Sequence, residues 1–217
     1  IGLCISEKLH ELCAGRQSPF SVTSFFLGQF EGASMRPKLS KNIDEVCYPF
    51  MCEKSLKCDF EILTDELCRQ IGGVLAAMPE EFAELTAELE TLQPLIYHLN
   101  GSIRGKCALT EAHLTWLREC YVRHRDTCVD NIAGFILPRG SSPVPQLNTA
   151  SSTAKKAIRL MVRLYDEEKI EIPDVLHRFC HVLCNYLFTL TVVINKARGM
   201  IEVPFVSQSY PHRKRRG

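Results

Sequence analysis

A chain of 217 residues with 46% hydrophobic side chains can bury one sizeable core. Its 26 basic and 25 acidic residues leave a net charge of +1, which excludes a global electrostatic pull toward nucleic acid or an anionic membrane. No apolar run approaches the roughly 20 residues of a spanning helix, and the longest, from Tyr186 to Ile194, has the length of a core helix segment, so a soluble protein is expected.

Residues 1–58 lack sustained periodicity. Ile5, Leu9, Leu12 and Cys13 fall on one face and predict a short helix, after which GRQSPFSVTS and GASMRPKLSKN read as loops around Phe25, Phe26, Leu27 and Phe30. From Asp59 a helical period takes over without competing strand alternation. Leu67, Ile71, Val74 and Leu75 form a first stripe, ended by Pro79. Phe82, Leu85, Leu89, Leu92, Leu95, Ile96 and Leu99 form a second, which Pro94 should bend and Asn100-Gly101 should close. Thr110 and Glu111 start a third helix ahead of Leu114, Leu117 and Tyr121. Leu147, Ala150, Ala154, Ala157, Ile158, Met161 and Leu164 mark a fourth. Val175 to Ala197 makes a fifth, with Pro173 near its start. The expectation is an all-α, five-helix bundle over residues 59–203, with an irregular arm (1–58) before it and a basic tail (204–217) after it.

Eleven cysteines, odd in number and spread through helical patterns, argue for reduced thiols in an intracellular compartment. No CxxC pair occurs, and the irregular spacing of Cys47, Cys52, Cys58 and Cys68 reads as small packed thiols, not a metal site. His177, His181 and Cys184 share a helical face, where packing or solvation is again the preferred reading over metal ligation. The chain opens with Ile1, as expected of a processed or trimmed product; removal of an organelle-targeting peptide would account for it, and so would trimming of the recombinant chain. At the other end, His212, Arg213, Lys214, Arg215 and Arg216 cluster beside Tyr210. Such a tail suits a phosphate backbone such as RNA, and a solvated tail is the alternative.

Five short segments in order carry a resemblance. They are Asp65-Glu66-Leu67 with Ile71-Gly72; Leu92-Gln93 with Leu99; Leu109-Thr110-Glu111 with His113; Phe135-Ile136-Leu137-Pro138 with Gly140; and Asn185-Tyr186-Leu187-Phe188-Thr189-Leu190. Over residues 65–198 the chain resembles the ATP:corrinoid adenosyltransferases of the propanediol-utilisation type. The resemblance implies a five-helix bundle assembled as a trimer, transfer of the adenosyl group of ATP to reduced cobalt, and triphosphate as the leaving group. It also implies a cationic phosphate cradle, a metal ion and an apolar corrin pocket.

The motifs that carry this chemistry in the family are altered. The amino-terminal TRTGDxGxT loop has no counterpart, since Gly28 and Gly32 lie among Phe30, Glu31 and Ala33. In the HxARxxxRRAER motif, Asn148 replaces His, Ser151 the first Arg, Lys155-Lys156 the Arg pair and Ile158 the Glu, while Arg159 is kept. Lysine keeps the charge and loses the bidentate fork. Ile158 is assigned to core packing. On the fifth helix Val182 and Asn185 replace an Arg and an Asp.

Lys155, Lys156, Arg159, Asn185 and Phe135 are therefore read as vestiges of a ligand site, with no catalytic residue, no metal and no cofactor. The expected role is a catalytically inactive, structural or assembly subunit of a larger mitochondrial complex, with a ribosomal one as an example. Its partners are then protein subunits, in a homotrimer or hetero-oligomer, and RNA through Tyr210, Arg213, Lys214, Arg215 and Arg216. The alternatives are an active enzyme binding triphosphate through Lys155, Lys156 and Arg159, with ATP, Mg and cobalamin, or a non-catalytic cobalamin or nucleotide sensor.

Overall fold

The computed structural model describes residues 37–128 and 134–209, and among them five α-helices carry the fold. These are α1 (Leu56–Ala77), α2 (Ala83–Ser102), α3 (Glu111–Cys128), α4 (Val144–Glu168) and α5 (Asp174–Ala197). The helix expected over residues 5–13 lies outside the described residues. Residues up to Glu53 form a unit of their own. Its described part contains a 3-10 turn, Ile43–Glu45, where the Asn42 side chain accepts from the Asp44 N–H.

Helix starts and stops follow local chemistry. α1 begins three residues earlier than the stripe suggested, because the Ser55 hydroxyl accepts from the Lys57 N–H (3.2 Å). Glu168 strengthens this end by accepting from the Leu56 N–H and the Ser55 hydroxyl, both at 2.6 Å. α3 starts at its expected cap, with the Thr110 hydroxyl accepting from the His113 N–H (3.4 Å). α2 contains Pro94 and closes just past the expected Asn100-Gly101. It continues through Pro94, whose ring removes a bond to the carbonyl of Glu90, an exposed residue whose backbone water can serve. It ends at Ser102, not at Asn100, because the Asn100 amide is directed across to α1. There it donates to the Glu61 carbonyl (2.6 Å) and the Thr64 hydroxyl (2.8 Å).

The helices neighbour one another in the order α2, α1, α4, α5, α3. The apolar stripes meet in one core that includes Phe60, Ile71, Leu92, Leu117, Met161 and Leu187, all buried. Ala150, Ala154 and Ala157 are fully buried along α4, and their small size lets α4 lie close to both neighbours. α5 is long and apolar enough to cross a membrane by length and composition, but 67% of its most apolar window is buried inside the bundle. That burial marks it as the central core helix.

Two family-like segments mate directly between α1 and α2. A Cβ on Gly72 would lie 3.0 Å from the Gln93 amide nitrogen, which donates to the Cys68 carbonyl at 3.2 Å. A small feature absent from the sequence expectation is a two-stranded antiparallel ribbon of β1 (Phe135–Ile136) and β2 (Pro204–Phe205), pairing Phe135 with Phe205. It anchors the FILPRG turn. Gly140 sits at φ +155°, where an added Cβ would come within 2.5 Å of Asn195 Oδ1 and 2.6 Å of Val144. The Asn195 amide donates to the Arg139 carbonyl (2.8 Å), and Arg198 donates to the Ser141 hydroxyl and the Ser142 carbonyl. The end of α5 thus clamps the turn that leads into α4.

Candidate functional site

The α4 helix period separates residues that the sequence groups together. Ser151 faces α5: it is 4% exposed, and its hydroxyl donates to the Cys184 carbonyl at 3.0 Å. Lys155 follows one turn later on the α5 side, and Arg159 a turn beyond it; both are exposed. Lys156 points the other way, toward α1. It lines an open groove of about 300 Å³ with Leu160 and the α1 residues Asp59, Ile62, Leu63 and Glu66. The three cations proposed as one cradle therefore divide between two faces, and Lys156 has carboxylates for neighbours.

Ile158 is half-buried at the rim of the core, in contact with it but not enclosed. The assignment to core packing holds only at this margin. Ser151 is the position where packing has fully replaced the motif's charge. Asn185 is half-buried on α5, and Phe135 is 60% exposed on the ribbon. Tyr210, Arg213, Lys214, Arg215 and Arg216 lie outside the described residues.

Most described arginines are engaged by acids. Arg69 meets Asp65, Arg104 meets Glu61, Arg163 meets Glu167, and Arg178 meets Asp174 and Glu111. Lys155 and Arg159 make no ion pair among the described residues, so their charge is available to an anion. On α5, His177 and His181 stack edge to face with ring centroids 4.6 Å apart. Partial burial, and then the neighbouring His177, hold the His181 pKa below the ordinary imidazole value of 6.5. Among the described residues no three His, Cys, Asp or Glu side chains converge as a metal site. Cys184 is turned to Ser151, and burial pushes the Cys180 thiol up to about 12, which keeps it protonated.

A second polar cluster lies on the inner side of α5, and the sequence reading passed over it. Glu88 of α2 accepts from the Tyr186 hydroxyl (2.7 Å), from Arg123, and from His124 Nε2, which lies 2.9 and 3.0 Å from its two oxygens. Burial pushes the Glu88 pKa up, but the hydrogen bonds from His124, Tyr186 and Arg123 outweigh it, leaving the carboxyl below its ordinary 4.5. Burial, then the Glu88 charge, raise Tyr186 well above its ordinary value. A signal was present: Glu88 lies three residues after Leu85 and four before Leu92, on the apolar stripe.

The family model for cobalamin adenosyltransferases matches residues 62–194. A corrinoid adenosyltransferase of Bacillus subtilis is 29% identical over 168 residues, covering 74% of this chain and 86% of its own length. A cobalamin adenosyltransferase of Cupriavidus metallidurans is 29% identical over 141 residues, covering 64% of this chain and 74% of its own. In fold, the chain is similar to a phenylalanine-to-alanine variant of a PduO-type ATP:corrinoid adenosyltransferase from Lactobacillus reuteri, complexed with cobalamin and ATP. The TM-score is 0.64 at 20% identity, over 71% of this chain and 88% of that one. An arginine-to-lysine variant from the same organism, complexed with ATP, gives 0.63 at 21% identity, over 71% and 89%. The first of these Lactobacillus reuteri proteins is complexed with cobalamin and ATP and the second with ATP, and with the family match this overturns the expectation that the bundle has no cofactor.

Proposed function

This chain belongs to the cobalamin adenosyltransferase family, and we propose that it holds the triphosphate of a nucleotide and a corrinoid at the outer α4–α5 face without efficient adenosyl transfer, serving as a scaffold subunit of a larger assembly. The observation that carries this reading is the closure of α4 onto α5 at Ser151, whose hydroxyl bonds the Cys184 carbonyl at 3.0 Å. An arginine at this position would need the space that the two helices have filled. Lys155 and Arg159 remain exposed and without ion pairs, which suits phosphate oxygens. With Ile158 in place of the motif's acid, no carboxylate stands there to orient a metal or a ribose. Binding charge is therefore retained while the groups that would sharpen the transition state are missing.

A slow but active adenosyltransferase is the second reading. It is favoured by the Lactobacillus reuteri variant in which lysine replaces an arginine and the protein is still complexed with ATP. Lysine binds phosphate as a point charge, so nucleotide binding and catalytic efficiency separate naturally. Calorimetry with ATP and magnesium, run beside a cob(I)alamin turnover assay, distinguishes the two. The scaffold reading expects measurable nucleotide binding with turnover about 100-fold or more below an active relative, the order of loss when a preorganised polar group is removed. Turnover matching the relative would establish the enzyme, and absence of ATP binding would reject both readings.

The assembly role includes self-association as a trimer or association with other subunits, within a mitochondrial complex. RNA contact is assigned to Tyr210, Arg213, Lys214, Arg215 and Arg216. Replacing the four basic residues of that set with Gln should flatten the salt dependence of association by roughly one unit of slope per lost phosphate contact. Unchanged co-sedimentation after their replacement would remove the tail from the proposal.

A further inference from the structure

The outer seam between α4 and α5 brings two histidines level with the two unpaired cations. The bond from Ser151 to Cys184 fixes the register of the pair. The short link 169–173 makes the helices antiparallel, so a step forward on α4 matches a step back on α5. Lys155 is then level with Cys180–His181, and Arg159 with Leu176–His177. The helix period places all four side chains on the solvent side of the Ser151–Cys184 line. His181 is exposed and His177 half-buried, with their rings 4.6 Å apart.

The charges around this strip are unbalanced in one direction. On α5, Asp174 is bonded by Arg178 at 2.6 Å, and Glu111 of α3 is taken by the same guanidinium. Asp166 lies a further two turns along α4 from Arg159. Cys180 and Cys184 are buried thiols. Among the described residues neither Lys155 nor Arg159 has an ion-pair partner, and the acids beside the imidazoles, Asp174 and Glu111, are both held by Arg178.

We infer that His177 and His181 complete a polyphosphate-binding strip with Lys155 and Arg159, and that protonation of the imidazole pair controls its affinity. The inference rests on the functional reading above, since it concerns the same face. The ligand chemistry is a linear triphosphate, free or carried by a nucleotide. With the pair neutral, two fixed cations hold the anion. Each proton taken up adds a donor and a positive charge, so binding tightens as pH falls. Partial burial and the mutual repulsion of the two rings oppose charging of His181 in the free protein. A bound polyanion reverses that balance and draws the proton in with it.

The test is calorimetric titration of the full chain with inorganic tripolyphosphate, and in parallel with ATP and magnesium, which tells the free anion from the nucleotide. Wild type is compared with the double variant His177→Gln/His181→Gln at about pH 8 and about pH 6, either side of the ordinary histidine range. The ligand's own protonation is common to both proteins and cancels in the comparison. The expected result is near-equal affinity at the higher pH and about 10-fold tighter binding by wild type at the lower, equivalent to one unit of linked pKa. Proton uptake, read by repeating the titration in buffers of different ionisation enthalpy, should be present in wild type and reduced in the variant. If the double variant loses its helical circular dichroism, the exposed-site variant His181→Gln carries the same comparison. Identical pH dependence in wild type and variant would overturn the inference. If binding is also lost in Lys155→Gln/Arg159→Gln, the polyphosphate site itself stands without the histidines. Absence of binding at either pH would overturn the site and the inference together.

Discussion

The two faces of α5 carry polar clusters of opposite design. On the inner face, Glu88, Arg123, His124 and Tyr186 satisfy one another: a buried carboxylate receives hydrogen bonds from all three partners. On the outer face, Lys155 and Arg159 are exposed and make no ion pair among the described residues, and His177 and His181 stack on one another. Burial explains the contrast. A charge withdrawn from water must be matched within the fold, whereas a charge at the surface is free to meet a ligand. The inner cluster therefore serves stability, the outer one is the proposed binding face, and each can be broken without the other.

The largest expected effect is on the inner face. Glu88→Ala strips a buried tyrosine, a buried histidine and an arginine of their common acceptor, and should cost about 3–5 kcal/mol of folding stability, measurable by urea denaturation. A loss no greater than that of an exposed-site variant would show that the cluster is not structural. Glu88 also sets a pH signature. Its folded pKa is below the ordinary 4.5, so its stabilising contribution is complete above that value and fades as pH falls through the lower folded value. Glu88→Gln should remove this acid-side slope while leaving the neutral-pH slope unchanged, as followed by thermal melts between about pH 3 and pH 7.

Next come substitutions at the points where α4 meets its surroundings. Gly140→Ala places a methyl group within 2.5 Å of Asn195 Oδ1 at a positive φ, and should cost about 1–3 kcal/mol. Ser151→Arg restores a motif residue to a position 4% exposed; overpacking of the α4–α5 contact should cost about 1–3 kcal/mol without raising turnover. A rise in turnover with unchanged melting would show that the seam opens readily, and would favour the active-enzyme reading. Ile158→Glu is milder. The side chain sits at the core's rim, where a carboxylate can reach water, so a loss of about 1 kcal/mol is expected in place of the several that full burial would give.

The smallest stability effect, and the sharpest functional one, belongs to Lys155→Gln and Arg159→Gln. Neither side chain has an ion-pair partner to lose, so melting should change by less than about 0.5 kcal/mol. Triphosphate affinity should fall about 10-fold per charge, the worth of a charge-assisted hydrogen bond. Destabilisation without loss of affinity would invert the contrast between the two faces.

The sequence by itself determined the helices and the family. Apolar residues recurring with the helical period marked all five, because the period fixes which side chains share a face within one helix. The motif order carried the fold class through segments such as Ile71-Gly72 and Leu92-Gln93, whose residues Gly72 and Gln93 meet between α1 and α2. What lies across helices was beyond that reach. Lys155 and Lys156 are adjacent in the chain and face different neighbours, since one residue turns the helix by about 100°. Only the tertiary structure decided that Ser151 is sealed against Cys184 and that Glu88 meets His124 and Tyr186 from two other helices. These pairings depend on the register and rotation with which helices pack, and many side chains act together to set both.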